Sequence, residues 1–121
     1  MPWDLPHIAA SLPLAALFGI EVVAAESNAA RVRLANSSSV LRSGGSVAGP
    51  CLFAMVDIAS YALTLILRKD VSAMTSSTFI NFLRPAFDLP IICEAVALRT
   101  GRYLLAYDVR IWPQRRGTGD F

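Results

Sequence analysis

One carboxylate set in a long apolar run constrains this chain more than any other feature. Residues 50–67, PCLFAMVDIASYALTLIL, carry Asp57 as their only charge. At about 1.5 Å per residue the run makes a helix of roughly 27 Å. Pro50 suits its first position, where a missing N–H would be orphaned anyway. Arg68 and Lys69 suit its negative end. Only Asp57, Ser60, Tyr61 and Thr64 are polar, so the helix must be wrapped on nearly every side. A bilayer would also wrap it, but a carboxylate at the bilayer centre costs about 2.5–3.5 kcal/mol. The flanking segments alternate like strands, which favours a core helix under a curved sheet, with no membrane partner.

Those flanks supply the sheet. Residues 19–25 are rich in β-branched residues, and 26–28 (Glu-Ser-Asn) make a turn. In 29–35, Arg31 and Arg33 point one way and Val32 and Leu34 the other. Residues 74–83 predict a strand ended by Arg84-Pro85. Residues 91–99 and 102–112 predict a hairpin with a tight turn at Thr100-Gly101. Its second strand has Tyr103, Leu105, Tyr107, Val109 and Ile111 on one face. Residues 6–17, broken by Pro13, predict a short helix over an edge of the core. Residues 36–46 read as a Ser/Gly loop and 113–121 as a polar tail. No repeat or boundary divides the chain. The expected class is α+β: one domain over residues 1–121, an antiparallel sheet curled around one long helix.

Composition limits the functions available. The 121 residues are 55% hydrophobic and 17% charged, with net charge +2. That much apolar side chain on a small domain predicts surface buried against a second copy, as a homodimer or homotetramer. The charge is too small and dispersed for a nucleic-acid partner. A single histidine, His7, and two cysteines without a CxxC spacing argue against a metal site or a Ser-His-Asp triad. Cys51 and Cys93 read as reduced core thiols in a cytoplasmic protein. The N-terminus carries Asp4 and no basic run, so no secretory signal is expected.

The chemistry concentrates where the loop meets the helix. Gly44, Gly45 and Gly49 allow backbone amides to approach a ligand. Amides at a helix N-terminus favour developing negative charge. Asp57, two turns on and expected to be buried, can act as a base or nucleophile. Together they would polarise and attack a carbonyl. The plainer readings stand beside this one. Asp57 could cap a loop or pair with an arginine across a dimer, and the glycines could simply make turns. Arg84 and Arg102 could be solvated charges at strand ends, or hold phosphates through their guanidinium groups. Asn81 could lie near the site or bridge strands at a dimer seam. Tyr61 could line an acyl pocket or be packing. Phe53, Met55 and Phe79 read as core or interface.

The run GGSVAGPCLFAMVDIASYA, the strand INFLRPA and the hairpin ICEAVALRTGRYLLAYDVRI resemble hot-dog-fold thioesterases of the phenylacetate-degradation (PaaI-like) type, over about residues 19–111. The resemblance implies a hot-dog fold, a dimer or tetramer, and hydrolysis of a short-chain or aryl acyl-CoA. No cofactor is implied, since coenzyme A belongs to the substrate. Asp57 takes the place of the family's helix acid, and Gly49 that of the glycine whose amide meets the thioester carbonyl. The adjoining Ser46, Val47, Ala48 and Pro50, with Arg42, Tyr61, Asn81, Arg84 and Arg102, are the expected substrate-binding residues. The family often has His-Gly-Gly where this chain has Ala48-Gly49-Pro50. Arg42 stands near the place of a polar Asn or Gln, and Tyr61 where a Ser or Thr is common. The family also has a final strand where this chain reads QRRGTGDF, which predicts a shortened or rearranged sheet. Such departures leave open a non-catalytic relative that binds acyl-CoA or serves in an assembly.

Overall fold

The computed structural model describes residues 5–35, 40–42, 44–68, 77–81 and 90–114. Its elements are α1 (Leu5–Ala10), α2 (Pro13–Phe18), β1 (Ile20–Ala25), β2 (Ala29–Leu34), α3 (Gly49–Arg68), β3 (Ile91–Thr100) and β4 (Leu105–Pro113). The strands form one antiparallel sheet in the order β1-β2-β3-β4. α3 lies across all four strands, and α1 and α2 pack against β1.

The register shows why these residues make these strands. Val32 faces Cys93, which faces Ile111; Ala30 faces Ala95, which faces Val109. These rows lie under α3, and Val32, Cys93, Ala30 and Ala95 are buried. The intervening row, Arg31–Glu94–Arg110, occupies the outer face. There Arg31 pairs with Glu94 at 2.9 Å and its guanidinium lies 5.5 Å from the Trp112 ring. Arg33 reaches Glu21 at 3.0 Å, and Arg110 reaches Asp108 at 3.1 Å. These pairs are partly or largely exposed, so each adds little stability. What fixes the face is the burial of the other row.

α3 is the core of the molecule. Met55, Ala59, Ala62, Leu63 and Leu65 are fully buried, and Cys51 and Ile58 nearly so. By length and composition alone it could cross a membrane, but most of it is buried inside the protein. Arg68 ends it, its guanidinium donating to the Gly101 carbonyl on the β3–β4 loop.

Two expectations need correction. Residues 77–81 form no strand; Ser77, Thr78, Phe79 and Asn81 are exposed, and Ile80 alone packs against the core. Their alternation suits a strand, but among the described residues no sheet edge pairs with them. The remainder of the expected strand lies outside the described residues. The last strand also begins at Leu105 rather than Arg102. Thr100 pairs with Leu105, and the Gly101 N–H donates to the Leu104 carbonyl at 3.0 Å. The tight turn is therefore a loop over residues 101–104. A Cβ at Gly101 would lie 2.7 Å from that carbonyl oxygen, so only glycine fits without a shift. Of the tail, Gln114 is described and donates from its backbone N–H to the Pro90 carbonyl; residues 115–121 lie outside the described residues.

Candidate functional site

The chain reaches α3 through a small hairpin of its own. The Arg42 N–H donates to Ser46 O at 2.8 Å, and the Ala48 N–H donates to Val40 O at 2.7 Å. Leu41 bridges Val47, and Val40 and Val47 are buried. The Ala48 carbonyl then accepts from Cys51 N at 3.0 Å and Leu52 N at 3.2 Å, opening the helix. The Gly49 N–H precedes that ladder and has no intrahelical acceptor; Pro50 has no N–H. Gly49 is half-buried, and nothing lies within 4 Å of where its Cβ would be. The backbone here does not demand glycine, so its missing side chain leaves open space beside the helix mouth.

Val47 and Ser46 depart from the expected site. Val47 packs into the core, and Ser46 is 5% exposed. Neither side chain reaches an open surface of the protomer. Ala48 is half-buried, and Pro50 and Arg42 are exposed.

Asp57 is exposed in the protomer, not buried as expected. A 3.6-residue period places Pro50, Phe53, Asp57, Ser60 and Tyr61, Thr64 and Arg68 along one stripe. Along it Pro50, Phe53, Asp57 and Arg68 are exposed and Ser60 and Tyr61 half-buried, while Thr64 is buried against β4. Phe53 there is 46% exposed, while Met55 is fully buried.

Spacing along the helix sets what these groups can do together. Gly49 and Asp57 are eight residues apart, about 12 Å along the axis. One carbonyl, with a donor on its oxygen and a nucleophile approaching its carbon, spans no more than roughly 7 Å. Asp57 and Gly49 of one chain therefore cannot act on the same carbonyl.

Other expected residues are scattered. Tyr61 is half-buried on the Asp57 stripe, and Asn81 is exposed. Arg84 lies outside the described residues. Arg102 is exposed in the β3–β4 loop, its guanidinium 5.3 Å from the Tyr103 ring. The Arg68–Gly101 bond places that loop at the C-terminal end of α3, away from Gly49. Tyr107 was missed as a neighbour of the stripe. Thr64 gives its proton to Ser60 O at 2.9 Å, so Tyr107 donates to the Thr64 hydroxyl at 2.7 Å. Burial pushes the Tyr107 phenol up, against opposing pulls from Thr64 and Arg68. The alternation of residues 103–111 put Tyr107 on the helix-facing side, and that was the available signal.

No group of three or more His, Cys, Asp or Glu that could hold a metal occurs among the described residues. A groove of about 280 Å³ on the outer sheet face, lined by Glu94, Val96, Leu98, Asp108, Arg110 and Trp112, contains neither Asp57 nor Gly49. Both cysteines are free and buried. Burial, with the Glu94 charge beside it, pushes the Cys93 thiol up to about 12. Folded protein should therefore leave Cys93 unlabelled by a thiol reagent at mildly alkaline pH, and denatured protein should label fully; rapid native labelling of Cys93 would refute this. The unfolded chain loses this proton from about pH 9 and the folded chain holds it to about 12, so stability falls as pH rises through that window.

A model of the thioesterase superfamily matches residues 44–119. Among solved structures the chain is similar to the Escherichia coli PaaI protein from the phenylacetic acid degradation operon. They share 26% identity over 90% of this chain and 83% of that one, with a TM-score of 0.72. A mutant thioesterase from Pseudomonas aeruginosa matches with 19% identity over 91% of this chain and 82% of that one, at a TM-score of 0.80. Zebrafish thioesterase superfamily member 2 matches with 17% identity over 97% and 90%, at 0.78. The curved four-stranded sheet on one central helix is the hot-dog fold of these structures. No curated protein matches the sequence.

Proposed function

The chain belongs to the thioesterase superfamily, and on that premise we propose that it hydrolyses a short-chain or aryl acyl-CoA thioester in a site shared by two protomers. The Gly49 amide of one protomer polarises the thioester carbonyl. Asp57 of the other activates water or attacks the carbon, and the CoA thiolate leaves and takes up a proton. The observation that carries this reading is the roughly 12 Å between the two groups along one helix, which a second copy supplies a way to cross. Pro50 and Tyr61 border the reacting centre, and Arg42, Asn81, Arg84 and Arg102 are candidates for the CoA phosphates and pantetheine. A reducing cytoplasm suits the two unpaired thiols.

Mixed dimers test the sharing. Gly49→Val puts its side chain into the open space beside the mouth, and Asp57→Asn removes the acid; each alone should release CoA thiol from a panel of acyl-CoAs at no more than about a hundredth of the unchanged rate. Co-expressed, half of the dimers are mixed and each of those has one intact site of two, so about a quarter of the unchanged activity returns. No recovery in purified mixed dimers would reject a shared site.

A second reading has one observation behind it. Pro50 removes a donor from the helix mouth, which weakens carbonyl polarisation. A chain that binds acyl-CoA without cleaving it would retain the ligand in equilibrium dialysis and release no thiol in the same panel.

A further inference from the structure

We infer that Phe53 lies on the two-fold axis of the active dimer, facing its counterpart in the partner subunit and setting the register that brings Asp57 to the partner's helix mouth. This rests on the shared-site reading. In a two-fold pair, if residue i faces residue j, then j faces i. Gly49 of each chain must face Asp57 of the other, so the helices run antiparallel and one position faces itself. That position lies four residues from each, at residue 53. It is also midway around the helix: four residues turn it by one full turn plus about 40°, in the same sense on either side.

The occupant of that position supports a self-contact. On α3, Phe53 is the large apolar side chain left exposed, at 46%. Pro50 and Asp57 flank it on the same stripe, and Ala54 adjoins it. Packed helices lie about 8–10 Å apart, and paired aromatic rings pack well at such a crossing. No partner of other chemistry is needed to cover a lone phenyl ring, because a second copy brings an identical one to the axis.

A symmetric crosslink reads this geometry without relying on turnover. Phe53→Cys, oxidised with copper-phenanthroline, should form a disulfide-linked dimer on a non-reducing gel, because two Cβ atoms at the axis can meet at about 3.5–4.5 Å. The unchanged protein should not crosslink, since Cys51 and Cys93 are buried. Ser60→Cys should not crosslink either: seven residues off the axis, its counterpart lies about 20 Å away. Phe53→Asp, which sets two carboxylates face to face, should halve the mass seen in sedimentation while the far-ultraviolet dichroism stays unchanged. A dimer that hydrolyses acyl-CoA yet crosslinks at 60 and not at 53 overturns the register and leaves the hydrolase reading standing. A dimer that crosslinks at 53 without turnover keeps the register and removes the hydrolase reading. An unchanged protein that sediments as a monomer overturns the axis.

Discussion

Asp57→Asn is expected to slow acyl-CoA hydrolysis by about 10²–10⁴-fold while leaving the fold intact. Asparagine matches the shape of aspartate but carries no negative charge and cannot take a proton from water. Asp57 is exposed in the protomer and the exchange is isosteric, so it leaves no cavity and the core stays packed. The polarising amide at Gly49 remains, so residual turnover above the uncatalysed rate should persist. The measurement is free-thiol release across the acyl-CoA panel, with sedimentation to show that the dimer survives. An Asp57→Asn variant as active as the original would show that the acid on α3 has no part in the chemistry.

Leu63→Ala should be strongly destabilising. Leu63 is fully buried in the C-terminal half of α3, and α3 packs against every strand. Removing three carbons from a site that cannot collapse costs about 2–5 kcal/mol. Domains of this size hold about 5–15 kcal/mol in total. At fixed protein concentration the midpoint of thermal unfolding should fall by roughly 10–15 °C. A shift of only one or two degrees would mean that the helix does not carry the core.

These two residues mark what the sequence could and could not convey. The helix itself was legible: proline opens it, arginine closes it, and nothing between breaks it. The faces of β2 were equally plain, since Arg31 and Arg33 alternate with Val32 and Leu34. Which stripe of α3 stays uncovered was not legible. The run is apolar nearly all round, and only the sheet decides that Phe53 and Asp57 are left out; Asp57 was expected to be buried for that reason. Residues 77–81 show a second limit. Thr78 and Ile80 alternate with Phe79 and Asn81 as a strand requires, but a strand also needs an edge to pair with, and pairing is non-local. The start of β4 shows a third. Tyr103 and Leu104 suit a strand, yet the Gly101–Leu104 hydrogen bond closes a loop around them. Of the candidate site, spacing within one helix left Gly49 and Asp57 open between plain structural roles and chemistry, and only the family resemblance favoured chemistry. Arg102 could not be placed, because nothing local reveals that its loop sits at the far end of α3.

The length of helix between Gly49 and Asp57 carries a consequence for the cell. A lone chain on the shared-site reading holds two half-sites and no whole one. Below the concentration at which the dimer dissociates, turnover then grows with the square of the amount of protein, and halving that amount removes more than half of the output. In that range the amount of protein itself sets the rate per chain, without any effector.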